Sequence, residues 1–483
     1  MNHAIAMVLA IPLAAFLIIV PWAHGDDSAA SEKHSFLRAK TIFQTNVPYD
    51  PRLAIAVDAV IVHRHGAGDA DVRQAITSWK KHGYSVGRMF FADSDAGNIY
   101  WKGKWDGKEH PDDVERDAAG EVVRCAGVRP YMLPTEGWIR YLEAMTRQSI
   151  AAGADAILPE EPLAHAHTGY EKSFREMWSQ RYGRPWRPES ESAEARFLTA
   201  QLKNERYLEL ERRLAALTER ESRRLGRDIA FILPVHSLYS NLAANLVAPL
   251  GTSLSIPHVD GTIGQVWTGP VRWALANYDS QQKTFFSSAY ALYDYFAAMA
   301  AGGDRKLWLL VDPVEDDPRH EWSEFEAWYR HCVVASLLFP AVDAFEVMPW
   351  PDRIFFPGYT TGGGTPAPER NRITILSAVQ VQQEVPRSGH WILPAGGPAG
   401  VGIAVSDTLL WERDTGPPLQ GIYGLILPLV EAGAVVSACV AERASEPGYL
   451  DCFRVIVVSF ESWKPLREDA NRELVRWARR GGT

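Results

Sequence analysis

Two adjacent carboxylates, Glu160 and Glu161, stand directly after a short apolar run, 154–158, and directly before Pro162. The run reads as a buried strand. In a barrel of parallel strands, the C-terminal end of a strand is where a side chain is held rigidly and still faces substrate. A second apolar run, 307–311, ends the same way, in Asp312, Glu315, Asp316 and Asp317. Carboxyls at two strand ends, far apart in sequence, are what cleavage of a glycosidic bond requires. One protonates the leaving oxygen, and the other attacks the anomeric carbon or activates water. Neighbouring carboxylates raise one another's proton affinity, which keeps an acid protonated near neutral pH. Pro162 stiffens the backbone at Glu161, so Glu161 is the expected acid/base. Glu160 is then its tuning neighbour or a partner for a sugar hydroxyl. At the second strand end Glu315 is the expected nucleophile and Asp312 the alternative. The competing reading there is an acidic loop that caps the next helix, for which Asp317-Pro318 is suited.

Further strand ends supply binding groups. Glu346 lies inside a run at 344–348, and Trp350 follows it between two prolines, as a floor for a sugar ring. For Glu346 the competing reading is a structural carboxylate paired with an arginine. Gln265 and Trp267 close the run 261–267 with an amide and an indole. His63 and His65 follow the run 54–62, and His236 follows 228–233. Imidazole and carboxylate are zinc ligands, and a His-x-His after a first strand resembles the metal site of the amidohydrolases. His258, however, precedes its strand and falls at the wrong end of the barrel. His65 and His236 are therefore read as contacts to sugar hydroxyls, with no metal and no cofactor, and His165 and His167 as lining a subsite.

These groups need a scaffold that brings strand ends together. Apolar runs at 54–62, 85–92, 127–133, 154–158, 228–233, 261–267, 307–311 and 344–348 alternate with amphipathic segments at 138–152, 197–224 and 288–301. Strands alternating with helices predict a parallel sheet, and eight units over 51–385 fit a (β/α)8 barrel. The Gly-, Asp- and Lys-rich stretch 98–124 reads as a long loop on the side of the site. A Gly/Pro-rich segment, 358–368, and a helix over 371–385 end the barrel. The pattern then restarts over 386–483 as a small doubly wound, flavodoxin-like α/β unit. It stops at Thr483, where another strand would be expected, so it reads as incomplete.

The length of 483 residues calls for more than one domain. A net charge of -9 and the lack of a basic stripe exclude a nucleic-acid partner. An apolar run over 4–20, followed by Ala23 and Gly25, suits a signal peptide or a membrane anchor over 1–25, with 26–50 as a linker. The rest is then exported, to the periplasm or beyond. Cys125, Cys332, Cys439 and Cys452 show no metal spacing, with Cys439 and Cys452 the nearest pair for a disulfide. There is no GxSxG elbow, P-loop or strand-linked GxGxxG.

In these residues the chain resembles the clan A glycoside hydrolases, and in layout the family 42 β-galactosidases. The resemblance runs from about residue 53 to the end and is one of architecture. It implies a retaining glycosidase acting on an oligo- or polysaccharide, and a C-terminal amidotransferase-like unit that builds homo-oligomers. The family's Asn-Glu-Pro after strand four stands here as Glu160-Glu161-Pro162, which carries the acid/base role onto Glu161. The lone glutamate expected after strand seven is replaced by Asp312 and Glu315. A catalytically inactive carbohydrate-binding barrel is the alternative.

Overall fold

Eight parallel strands close into a barrel in the computed structural model, which describes residues 36–64, 69–125, 127–266, 285–314, 318–361, 364–385, 400–409, 411–412, 420–459 and 463–483. The strands are β1 (Thr41–Thr45), β2 (Ala59–His63), β3 (Ser85–Phe91), β4 (Ala156–Glu160), β5 (Ala230–His236), β6 (Gly261–Gln265), β7 (Lys306–Leu310) and β8 (Phe345–Pro349). Neighbours in sequence are neighbours in space, and β8 closes on β1 with Thr41 opposite Phe345. The longer helices are α1 (Asp69–Lys80), α2 (Glu136–Ala151), α3 (Lys172–Tyr182), α4 (Ala193–Leu225), α5 (Phe285–Ala300), α6 (Trp322–Ser336) and α7 (Glu369–Glu384). The apolar side chains of α4, among them Tyr207, Leu210, Leu214 and Leu217, are buried as its stripe predicts. Ser192 caps its start by accepting from the Ala195 N–H, and Gly226 at φ +60° ends it.

Seven of the expected strand runs are barrel strands, and one is not. Residues 127–133 contribute to a short antiparallel hairpin, Arg124–Cys125 with Arg129–Pro130. Tyr131, Met132 and Leu133 are buried there, which accounts for the apolar signal. The missing strand is β1, which lies inside the stretch read as a linker. Its sequence, Thr-Ile-Phe-Gln-Thr, is half polar. The two threonines have local partners: the Thr41 N–H and hydroxyl both donate to the Asp58 carboxylate, and Thr45 Oγ1 accepts from the Val47 N–H. The two misreadings cancel by β4, so Glu160 still ends the fourth strand, Glu161 follows it, and Asp312 follows the seventh. His63 moves from the first strand to the second.

The interior alternates as a strand period of two dictates. Ile42, Ile61, Met89, Leu158, Ile232, Ile263, Leu310 and Ala344 form one inner cluster, closed below by Phe36 and Trp308. One step further along β2, β4, β6 and β8 stand His63, Glu160, Gln265 and Glu346.

A second sheet of three parallel strands, in the order β10-β9-β11, comprises β9 (Val401–Val405), β10 (Val436–Val440) and β11 (Val455–Val457), with helices α8 (Gln420–Glu431) and α9 (Glu468–Arg479). Ile403, Val405, Val436, Ala438 and Val440 belong to the same apolar cluster as the barrel helices. Asp294 on α5 reinforces the junction by accepting from Ser437 Oγ (2.9 Å) and the Ala438 N–H (2.6 Å). All four cysteines are free, so no bridge joins Cys439 to Cys452. The segment 1–25 lies outside the described residues. Among those described, no helix is long and apolar enough to cross a membrane.

Candidate active site

Glu160 is the last residue of β4, and alternation from Ala156 and Leu158 turns it into the barrel. Its Oε1 accepts from Gln265 Nε2 at 2.9 Å. Its Oε2 lies 3.1 Å from His63 Nε2, close but out of line for a hydrogen bond. Glu161 turns the chain out of the strand at φ +54°, and its N–H donates to the Pro234 carbonyl of β5 at 3.0 Å. Five described residues other than glycine have positive φ: Asn98, Glu161, Asn245, His258 and Trp350. Asn and His tolerate that region, whereas Glu and Trp rarely enter it. Those two exceptions both sit at the barrel mouth, one after β4 and one after β8.

The pair does not share its proton evenly. Burial, and then the charge of Glu161, push the Glu160 carboxyl up to about 8. Burial acts on Glu161 in the same sense. There it is outweighed by the hydrogen bond from His236 (2.6 Å) and by the charges of His236 and Arg129, so the net shift is downward. As an ionised carboxylate Glu161 can only accept, so His236 Nε2 carries the hydrogen. His63 is held neutral, chiefly by burial and then by Arg88 and Arg129. Mutual repulsion thus places the proton on Glu160, not on Glu161 as the sequence suggested.

Three groups near the pair were not assigned to the site from the sequence. Asp93 follows β3 and is fully buried, accepting from Ser94 Oγ at 2.7 Å. Burial, followed by the charge of Glu161, holds its carboxyl well above the usual range. Arg129 folds back from the hairpin and stacks on Phe91 at 3.7 Å. It donates to Ser94 Oγ and to Cys125 Sγ, each at 3.1 Å. Asp93 was findable, because it follows an apolar run just as Glu160 does. Arg129 and Cys125 were not, because only the hairpin brings them to the mouth.

Asp93, Cys125 and Glu161 offer ligand atoms within 4.8 Å of one another, the one such group among the described residues. Its fit to a metal is poor, because the Arg129 guanidinium already donates to the thiol. Burial also pushes that thiol up to about 12. Neither His63 nor His236 belongs to this group, so the histidine-based zinc set does not assemble among the described residues.

The remaining expected groups divide as follows. Asp312 is buried beyond β7, and its Oδ1 accepts from the Val314 N–H at 2.9 Å. Glu346 is fully buried on β8. Burial, and then the charges of Glu160 and Asp312, push its carboxyl far above the usual range. It has no arginine partner among the described residues, so the structural pairing is not found. Trp350 stacks on His63 with ring centres 5.3 Å apart and planes at 21°. His165 pairs with the segment Leu246–Val247 beside the mouth, its imidazole lowered to about 4, first by burial and then by Lys203. His65, Trp267 and Glu315 lie outside the described residues.

No family model matches the chain, and no curated protein resembles it in sequence. Solved structures do resemble it in fold. A β-galactosidase from the psychrophile Marinomonas ef1 superposes with a TM-score of 0.61 at 11% identity, over 90% of this chain and 74% of that one. A β-galactosidase from the Antarctic haloarchaeon Halorubrum lacusprofundi gives 0.62 at 14% identity, over 91% and 70%. The architecture read from the sequence, a barrel followed by a small parallel α/β unit, is the one these proteins share.

Proposed function

We propose that the chain is an exported glycoside hydrolase that cleaves O-glycosidic bonds with retention. The observation that carries this reading is the split pair after β4: one carboxyl protonated near neutrality and its neighbour ionised, at the mouth of a glycosidase-type barrel. Glu160 donates its proton to the glycosidic oxygen as the bond to the anomeric carbon breaks. A carboxylate beyond β7, Asp312 or Glu315, forms the new bond to that carbon. Glu160, now ionised, takes a proton from water, and the hydroxide displaces the ester. Glu161, held ionised by His236 and Arg129, stabilises positive charge developing on the ring. The apolar segment near the N-terminus supports export, and a mature N-terminus near residue 26 would establish it.

The test is a pair of substitutions. Glu160→Gln should lose about 10²–10⁴-fold in turnover on glycosides with poor leaving groups but keep far more on activated aryl glycosides. Glu161→Gln should lose similar factors on both. The reverse assignment returns the acid to Glu161. Incubation with 2-deoxy-2-fluoro glycosides and intact-mass analysis should trap an adduct on Asp312 or Glu315. Saccharide binding without turnover or adduct would make the barrel a binding protein.

A further inference from the structure

A cavity of about 420 Å³ lies between the barrel and the small sheet, at the end of the barrel opposite the mouth. One wall comes from segments that lead into barrel strands. These are the short helix Leu250–Ser253 with Leu254, before β6, and the stretch from the end of α5 to β7, with Met299, Ala301 and Arg305. The other wall follows β10, with Glu442, Arg443 and Glu446, and leads into α9, with Leu466, Arg467 and Asp469. Open α/β sheets bind ligands outside the carboxyl ends of their strands, and this is such an end. Small-molecule sites span about 300–1,000 Å³, so the volume is that of a ligand site.

The walls mix apolar surface with charge. Leu254, Met299, Ala301 and Leu466 supply apolar surface, and six charged side chains join them, of which five are engaged elsewhere. Arg443 pairs with Glu446 at 2.6 Å, and its Nη1 donates to the Ala298 carbonyl at 2.6 Å. Arg467 pairs with Asp469. Glu442 accepts from the Asp407 N–H on Oε1 at 2.9 Å. Its Oε2 has no hydrogen-bond partner among the described residues, but it is shut off from solvent against Gly251, where a Cβ would meet it at 2.9 Å. That carboxyl is therefore turned into the packing and not presented to the cavity. Arg305 is the exception. Half-buried, it donates only to carbonyls, from Nε to Leu254 and from Nη2 to Ile256, each at 3.3 Å. Its Nη1 makes no hydrogen bond among the described residues, and it has no carboxylate partner there.

We propose that this cavity binds a small organic monoanion, a carboxylate on an apolar body, with the carboxylate on Arg305 and the body against Leu254, Met299 and Leu466. One free guanidinium edge matches one negative charge, and guanidinium pairs with carboxylate through charge-assisted hydrogen bonds. Inorganic phosphate would offer nothing to the apolar walls. The ligand touches the barrel and the small sheet together and so ties their junction, remote from the carboxyls at the mouth. The proposal is independent of the glycosidase reading.

The experiment is calorimetric titration of the full chain with sodium phenylacetate. The expected result is one saturable site per chain. 2-Phenylethanol, which keeps the body and lacks the charge, should bind weaker by about tenfold or more. Arg305→Met should weaken phenylacetate by a similar factor, and Ala301→Phe, which fills the cavity, should do the same. If Arg305→Met fails to fold, the alcohol and Ala301→Phe decide. No saturable binding of phenylacetate or of hexanoate would overturn the site. Equal affinity for the alcohol would overturn the carboxylate class, and displacement of phenylacetate by inorganic phosphate would overturn it in favour of a phosphate site. Binding that persists unchanged in both variants would place the ligand elsewhere and overturn the assignment.

Discussion

Protonation of the Glu160–Glu161 pair is set by neighbours on other strands, and that makes it addressable one residue at a time. Glu160 works protonated, so kcat/KM should fall as pH rises through about 8. That limb should vanish in Glu160→Gln. Glu161 works ionised, and its carboxyl is lowered, so activity should persist to low pH. Removing the imidazole in His236→Asn takes away the hydrogen bond and charge that oppose burial. The acid limb of the profile should then move upward by roughly one pH unit or more. An unchanged limb would mean that Glu161 is not the ionised partner. How the two glutamates divide the work was not legible in sequence, because adjacency says only that they repel. The division comes from His236 on β5 and Arg129 on the hairpin, which no spacing along the chain relates to them.

At the scale of elements, the strands that carry carboxyls were legible because an apolar run ending in acid marks a strand end. β1 was not, because three of its five side chains, Thr41, Gln44 and Thr45, are polar although all five are buried. The 127–133 segment misled for the opposite reason, since its apolar side chains are buried without belonging to the barrel. The junction between α5 and β10 makes its own prediction. Burial first, against the opposing hydrogen bonds from Ala438 and Ser437, raises Asp294 from its ordinary 3.8 to about 7. A carboxyl raised on folding contributes stability that is complete below about pH 4 and lost as pH rises to 7. Over that window its share of the slope reaches about 1.4 kcal/mol per pH unit. Asp294→Asn should flatten the pH dependence of unfolding by up to that much, as read from urea titrations at several pH values. An unaltered slope would show that Asp294 is charged in the folded protein.

Across the whole molecule, the barrel and the small sheet share one apolar cluster, and residues 34–483 form one compact unit. The change of pattern after 385 suggests two units, but periodicity reports only local structure and is blind to shared packing. Because β9 and β10 bury their inner faces against barrel helices, neither part can open without exposing the other. Calorimetry on residues 34–483 should therefore show a single cooperative transition. Val440→Asp, placed in the shared cluster, should lower that one transition as a whole by several degrees. Two resolved transitions, with only one moved by the substitution, would mean that the shared cluster does not couple them.

The pairing of β1 with β8 also constrains how the chain is made. At translation rates of about 5–20 residues per second, β8 emerges some 15–60 seconds after β1, roughly 300 residues later. Throughout that interval the β1 edge awaits its last neighbour, and an unpaired apolar edge is an invitation to aggregate. The polar composition that hides β1 from a reader of the sequence is thus its protection at the ribosome. Thr41, Gln44 and Thr45 make it a poor template for stray strands until its own partner arrives.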